Sequence, residues 1–214
     1  IILAFWAQAR VKSTFNRYSQ VLNRRGLTGA QAAEAVLRQN GVTGVRVEWV
    51  AGKLTDHFDP RTNTIRLSNA VYSSTSVASV GVAAHEAGHA VQYAVGYFPI
   101  RLRAAIIPVT QFGSMAAFPL IILGLFMNSG ILIDLGIWAF ALSTVFQLVT
   151  LPVEYDASHR AVTLLDSTGI LAGQEVGQTR KVLNAAALTY VAAAAASILQ
   201  LLRLLILFGN RRND

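Results

Sequence analysis

The sequence predicts a mainly α integral membrane protein, with about four transmembrane helices and a small α/β domain of helix and β-hairpin on one membrane face. Two observations support this prediction. Of the 214 residues, 53% are hydrophobic and 14% are charged, whereas about 25% of the residues in soluble domains are charged. The charges are also unevenly placed, because residues 106–151 hold only Asp134 and residues 182–208 hold only Arg203. The polar side chains are therefore expected together on one side of a membrane.

Apolar stretches alternate with polar ones along the chain. In order, we expect the end of a truncated transmembrane helix at 1–9, a polar domain at 10–105, a transmembrane hairpin at 106–151, a polar segment at 152–184, a transmembrane helix at 185–208 and a tail at 209–214. A span needs about 20 apolar residues to cross ~30 Å of hydrocarbon. Asn128-Ser129-Gly130 divides the hairpin, and Pro152 is expected to end its second span or begin a new helix. The chain starts without Met, which predicts residues upstream of Ile1.

Local patterns predict the elements of the polar domain. Thr28 and Gln31 resemble a capping box at the start of an amphipathic helix that ends at Gly41. Residues 45–50 alternate like a strand, and residues 54–58 and 64–67 are typical of paired strands around an Asp-Pro turn. The serine-rich stretch Ser73–Ser76 then offers N-caps for a long helix that ends near Gly96.

That helix contains His85-Glu86-Ala87-Gly88-His89, the most informative motif of the chain. Residues four apart on a helix lie one turn apart on the same face, so His85 and His89 aim two imidazoles at one point. Two neutral imidazoles are good Zn²⁺ ligands, and the adjacent Glu86 carboxylate can take a proton from an attacking water. Without a metal, three polar side chains would be buried among Val and Ala residues at a cost on the order of a few kcal/mol each. The motif therefore predicts a zinc site with Glu86 as the general base.

A third ligand is needed, because catalytic zinc sites use three protein ligands and keep one position open. The chain has no cysteine, so this ligand must be a histidine or a carboxylate. Glu154 is the best candidate, because the transmembrane hairpin returns the chain to the face it left and delivers Glu154 there at the start of a predicted helix. The alternative is that Glu154 only complements the dipole of that helix. Asp156 points about 200° away from Glu154 around the helix and cannot easily share the metal.

Four further residues are candidates for contacts near the site. Ser158 lies on the Glu154 face, where it would either orient a ligand or face helix packing. His159 and Arg160 lie off that face and are candidates for substrate contact, although a surface position is the simpler interpretation. His57 lies next to a turn, where an exposed hairpin histidine is more common than one near a metal.

The distribution of Lys and Arg indicates which face the site occupies. Residues 10–105 hold 12 of the 18 basic residues and residues 152–181 hold three more, while the hairpin tip holds none. The positive-inside rule places this face in the cytoplasm, although Arg211 and Arg212 in the tail contradict the scheme if the last helix spans fully. The formal charge of +7 does not indicate nucleic-acid binding, because the basic residues are scattered and no binding module is recognisable. The lipid bilayer is the expected partner, and a membrane adaptor or a homo-oligomer cannot be read from the sequence.

Besides the five-residue motif at His85–His89 (the pentad), the chain contains four longer informative segments. They are RRGLTG at 24–29, LTDHFDPR at 54–61, LPVEYDASHRA at 151–161 and LTYVAA at 188–193. Over nearly its whole length the chain resembles the YugP-type neutral zinc metallopeptidases of bacterial membranes, which are membrane-bound gluzincins with an HExxH motif. The resemblance implies a membrane-embedded zinc endopeptidase, with the two histidines of the pentad and Glu154 as ligands and Glu86 as base. Related membrane gluzincins carry an acidic residue or a histidine four positions after the third ligand, where this chain has Ser158.

The residues predict zinc-dependent peptide hydrolysis of membrane proteins or their juxtamembrane segments, and the resemblance implies an endopeptidase of the bacterial cell membrane. Arg101 and Arg103, just before the hairpin, are expected to anchor the site at the membrane surface. The strand at 62–67 is expected to align substrate by accepting it as an extra strand; the alternative is that the same hairpin packs on the active-site helix. The alternative is a non-proteolytic membrane scaffold or adaptor that retains a zinc site, but structural zinc has no need of the base Glu86. A transporter or channel is less consistent with the sequence, since few charged groups lie within the spans.

Overall fold

The protein is described by a computed structural model over residues 2–209. In chain order these residues form α1 (Ile2–Tyr18), α2 (Gly29–Gln39), β1 (Arg46–Val50), β2 (His57–Asp59), β3 (Thr64–Ser68), α3 (Asn69–Tyr72), α4 (Val77–Ala94), α5 (Phe98–Phe126), α6 (Gly130–Ser167) and α7 (Gln174–Gly209). Ile1 and residues 210–214 lie outside the described residues. The predicted conflict between the basic tail, Arg211 and Arg212, and the positive-inside rule therefore also lies outside them.

Three of the described helices, α5, α6 and α7, are long and apolar enough to cross a membrane. The prediction of a mainly helical protein with a small α/β part is confirmed. The count of four spans is not confirmed, because three of the described helices meet these criteria. α5 and α6 pack against each other as a helical hairpin. Its turn includes Asn128, whose φ is +49°, where the sequence predicts the connection.

α6 runs without interruption from the apolar hairpin into the polar part of the chain. Pro152 lies inside it, so the prediction that Pro152 ends the span or begins a new helix is wrong. A proline removes one backbone hydrogen bond, here to the carbonyl of Leu148, and membrane helices tolerate this loss where neighbouring helices pack around them. Glu154 consequently lies in the interior of a 38-residue helix, which fixes its position relative to the spans.

The polar part of the chain forms a three-stranded sheet and short helices around α4. The capping box of α2 is confirmed, because Thr28 Oγ1 accepts from the Gln31 N–H and Gln31 Oε1 accepts from the Thr28 N–H. β3 is the central strand, paired in parallel with β1 and antiparallel with β2. Both edges of β3 are therefore occupied, and the prediction that residues 62–67 accept a substrate strand is wrong. The free edges of this sheet belong to β1 and β2.

α4 is the central helix of the fold and carries the pentad. Ser76 caps its N-terminus by accepting a hydrogen bond from the Ser79 N–H, as the serine-rich stretch predicts. The buried alanines and valines of α4 pack against α2, β3, α6 and α7. At Gly88 the backbone of α4 lies directly against the backbone of α6, because a Cβ there would lie 2.8 Å from the Ala157 carbonyl oxygen. The small residues of α4 therefore bring its neighbours within reach of the histidines.

Candidate metal centre

The pentad presents two imidazoles from adjacent turns of α4. The ring centroids of His85 and His89 lie 4.7 Å apart, with the ring planes at 80°. Both Nε2 atoms face one carboxylate of α6, since Glu154 Oε2 lies 3.3 Å from His85 Nε2 and 3.6 Å from His89 Nε2. The structure therefore brings together the three residues that the sequence predicts as ligands.

Glu154 reaches the histidines because α4 and α6 pack backbone to backbone at Gly88. The contact of Gly88 is with Ala157, less than one helical turn beyond Glu154. Glu154 is 3% exposed and lies far from both ends of α6. It therefore does not complement a helix N-terminus, which was the alternative interpretation of this residue.

The donor set fits a zinc ion. A tetrahedral ion with bonds of roughly 2.0–2.1 Å separates its ligand atoms by about 3.3 Å, and the two distances to Glu154 Oε2 are close to this value. Glu154 Oε2 is buried and accepts no hydrogen bond from the residues that the structure describes. A buried carboxylate oxygen without a partner is costly, and a cation bound by all three residues would remove that cost.

The electrostatics of the site favour a positive charge between these groups. Burial lowers the pKa of His89, but the close Glu154 carboxylate and the charge of Glu86 outweigh burial, so the pKa is raised above its ordinary value. Carboxylates that stabilise a proton on this imidazole also stabilise a metal cation beside it. Zinc would compete with that proton, because imidazole binds the metal in its neutral form.

The second nitrogen of each imidazole is held by a polar side chain. Ser158 Oγ lies 3.1 Å from His85 Nδ1, and Gln92 Oε1 lies 3.0 Å from His89 Nδ1. An Nδ1–H that donates to such an oxygen leaves Nε2 unprotonated and available to a metal. Ser158 thus lies where an orienting residue must lie. Sequence reasoning did not identify Gln92, although its spacing of three from His89 places it on the same helix face.

Gln92 also links α4 to α6. It is 0% exposed, and its amide nitrogen donates to the Val153 carbonyl and to Asp156 Oδ2, both at 2.8 Å. Asp156 in turn accepts from Arg160 Nε at 2.6 Å, and the Arg160 guanidinium lies over the ring of Tyr97. Asp156 therefore faces Gln92 and Arg160, in agreement with its predicted direction away from Glu154, and Arg160 supports this network.

Two charged side chains also lie close to the proposed ligands. Arg103 Nη1 donates to Glu154 Oε1 at 2.8 Å, so one carboxylate oxygen is held while the other faces the histidines. The sequence predicts Arg103 only as a membrane anchor and does not reveal this contact. Glu86 is 9% exposed, and none of the described hydrogen bonds engages its carboxylate. That carboxylate is close enough for its charge to act on His89.

The remaining candidates, His57 and His159, are not part of the ligand group. His57 is exposed on the edge strand β2, with Nδ1 2.7 Å from the Thr55 carbonyl oxygen. His159 is exposed on α6 and lines a cavity of about 700 Å³ beside Ser158. Both positions agree with the simpler interpretation of these residues as surface histidines.

Sequence relatives agree with this geometry. The family described as "Putative neutral zinc metallopeptidase" matches residues 1–209. The chain is also similar to the "Putative membrane protease YugP" of Bacillus subtilis (strain 168), with 46% identity over 212 residues that cover 99% of this chain and 94% of that protein. No solved structure matches the chain. The family match over nearly the full length shows that the chain belongs to this family of neutral zinc metallopeptidases.

Proposed function

We propose that the protein is a membrane-embedded zinc endopeptidase that cleaves membrane proteins or their juxtamembrane segments on the cytoplasmic side. The geometry at Glu154 supports this proposal most directly. A buried carboxylate oxygen without a hydrogen bond lies 3.3 and 3.6 Å from two imidazole nitrogens, and the buried acid Glu86 lies beside them on the same helix. Three ligands with an adjacent base are typical of a catalytic zinc site.

The proposed chemistry assigns one task to each polar side chain. His85, His89 and Glu154 would hold the ion, which when bound polarises the scissile carbonyl and activates a water molecule. Glu86 acts as the general base, taking the proton of the attacking water and passing it to the leaving amine. Because no described hydrogen bond engages the Glu86 carboxylate, it is available to accept that proton. Ser158 and Gln92 keep the imidazoles in the ligand orientation.

The location of the site supports substrates at the membrane surface. Glu154 lies three residues after Leu151, the predicted end of the second span, and is tied by Arg103 to the beginning of α5. β2, which has a free edge, packs against the pentad helix, since the rings of Phe58 on β2 and Tyr93 on α4 are 5.6 Å apart. We infer that an extended substrate segment pairs with β2. The excess of basic residues on this side supports a cytoplasmic site.

Glu86→Gln in the full chain, reconstituted into liposomes, tests the general base. The variant keeps the shape of the side chain but cannot accept the proton, so it should bind zinc normally and lose at least about 10²-fold in the cleavage rate of dye-quenched casein. Glu34→Gln is the matched control, because Glu34 is exposed on α2 and its change should leave both quantities unaltered. Cleavage by Glu86→Gln at the wild-type rate would reject the mechanism.

Glu154→Ala separates the role of ligand from that of base. It should lower zinc affinity as well as rate, and an unchanged zinc stoichiometry would reject Glu154 as a ligand. Substrates can be sought by comparing new protein N-termini in bacterial membranes that contain the wild-type protein or Glu86→Gln. If zinc-loaded wild-type protein cleaves nothing beyond Glu86→Gln in either assay, a scaffold or adaptor with a retained zinc site becomes the better explanation.

A further inference from the structure

A cavity of about 700 Å³ lies between α1, α6 and α7, apart from the metal centre. Its polar lining consists mainly of three cations, two hydroxyls and an amide: Arg10, Arg17, Lys181, Ser13, Thr14 and Asn184. No acidic side chain lines this cavity. Every charged group at its wall is therefore positive. The Ser13 hydroxyl donates to the Arg10 carbonyl, and the Thr14 hydroxyl and the Asn184 amide can donate to a ligand.

The three cations have no carboxylate partner among the described residues. None of them takes part in an ion pair with a described residue, and the guanidinium of Arg17 lies 5.6 Å from the ring centroid of Tyr18. Like charges around one cavity repel each other unless an anion lies between them. Guanidinium and ammonium groups together with hydroxyl donors suit a phosphate group, which accepts several charge-assisted hydrogen bonds at once.

The cavity also lies where the chain passes from apolar to polar. On α1 the apolar stretch ends at Ala9, directly before Arg10, and on α7 the apolar stretch begins at Ala185, directly after Asn184. Phe5 and Trp6, on the turns before Arg10, are exposed hydrophobic side chains. A phosphate in this cavity would therefore lie at the level of lipid headgroups, with apolar helix surface beneath it for acyl chains.

We propose that this cavity binds the headgroup of an anionic phospholipid, with Arg10, Arg17 and Lys181 around its phosphate. Free phosphate offers the same chemistry to the cations. The lipid is favoured because basic pockets between membrane helices recognise anionic headgroups and because the apolar faces of α1 and α7 continue from the cavity. The site is separate from the proposed peptidase activity, since its lining includes none of the three metal ligands.

Native mass spectrometry of the full chain, released from detergent and titrated with phosphatidylglycerol, tests the proposal. Replacing all three cations, in Arg10→Gln, Arg17→Gln and Lys181→Gln combined, should weaken phosphatidylglycerol binding by roughly tenfold or more. Phosphatidylcholine should bind the wild-type protein more weakly than phosphatidylglycerol. Inorganic phosphate and glycerol 3-phosphate should displace phosphatidylglycerol only at far higher concentrations. Displacement by either of them at comparable concentrations would overturn the lipid as ligand.

A second triple variant controls for loss of charge alone. The control combines Lys12→Gln, Arg24→Gln and Arg61→Gln, which removes three positive charges from exposed positions outside the cavity. Together these changes should alter phosphatidylglycerol binding by less than about threefold. The proposal would be overturned if both triple variants weakened phosphatidylglycerol binding equally, or if neither weakened it. Zinc content and helical circular dichroism check that each variant folds.

A charge-preserving variant guards against misfolding of the first triple. Arg10→Lys and Arg17→Lys combined keep both positive charges, and Lys and Arg contribute similarly to attraction of anionic headgroups, so phosphatidylglycerol binding should be retained within about threefold. Loss of binding in this variant as severe as in the glutamine triple would show that charge does not hold the lipid.

Discussion

Replacing Gly88 by Ala tests whether the metal centre depends on the closeness of α4 and α6. The new Cβ would lie 2.8 Å from the Ala157 carbonyl oxygen, 3.3 Å from Ala157 Cα and 3.4 Å from its carbonyl carbon. All three atoms belong to the backbone of α6, so no flexible side chain can move aside. The helices must therefore separate locally, and Glu154 and Ser158 on α6 must move away from the histidines.

The size of this effect follows from the distances. Ordinary van der Waals contact begins at 3.4 Å, so the 2.8 Å contact requires a separation of about 0.6 Å. Metal–ligand distances tolerate deviations of only about 0.2 Å. We therefore expect zinc affinity to fall by about 10–100-fold, comparable to the loss of an orienting residue. For stability without metal, an overpacking cost of about 1–3 kcal/mol is partly offset by a gain of about 1 kcal/mol from replacing glycine in a helix. The net destabilisation is roughly 0–2 kcal/mol.

Gly177→Ala on α7 is the matched control, because a Cβ at Gly177 would meet nothing within 4 Å. It should leave zinc affinity unchanged and the stability equal or up to about 1 kcal/mol higher. The measurements are zinc competition against a chromogenic chelator and thermal unfolding of the metal-free full chain in detergent. If Gly88→Ala binds zinc as tightly as Gly177→Ala, the close approach of α4 and α6 does not position the ligands.

Two further predictions concern hydrogen bonds of the polar part. Gln92→Leu should lower zinc affinity about 10–100-fold, because His89 Nδ1 loses its partner and the Val153 carbonyl loses its bond to α4; wild-type affinity in the chelator competition would show that His89 needs no orientation. The Arg66 guanidinium hydrogen bond, with help from two further donors, holds the pKa of Asp59 at about 2. Because this lies below the unfolded value of about 3.9, the stabilisation is complete above that value and is lost as the pH falls towards 2. The urea midpoint of Asp59→Asn should therefore fall below that of the wild type at pH 6 and converge with it near pH 2, and a difference that persists at pH 2 would contradict the assignment.

Local sequence signals predicted the helix that carries the pentad well. The Ser76 cap and the spacing of His85 and His89 are properties of a single helix, so they can be recognised from adjacent residues. Glu154 could also be proposed, because a hairpin of two spans must return the chain to the same face. The continuity of α6 through Pro152 could not be predicted, since it depends on neighbouring helices that compensate for the missing hydrogen bond.

The partners of the ligands depend on tertiary contacts and were harder to predict. Gln92 holds His89 and also contacts α6, but a glutamine near the end of an apolar helix is unremarkable in the sequence. Arg103 has a sufficient local explanation as a membrane anchor, which conceals its contact with Glu154. The order of the strands is likewise not local, because the parallel pairing of β1 with β3 is not implied by the hairpin signal at residues 54–67.

The separation of the proposed ligands along the chain would tie metal binding to assembly of the membrane part. His89 and Glu154 are 65 residues apart, and bringing together the ends of a flexible segment of that length costs roughly 4 kcal/mol. Packing of α5 against α6 offsets this free-energy cost without a metal, because it returns Glu154 to the side of the spans on which α4 lies. The bonds from Gln92 to α6 and from Arg103 to Glu154 then fix the approach of the three helices at the junction. A zinc ion bound there would hold α4 against α6, so the metal should stabilise the attachment of the polar part to the spans as well as supply the chemistry.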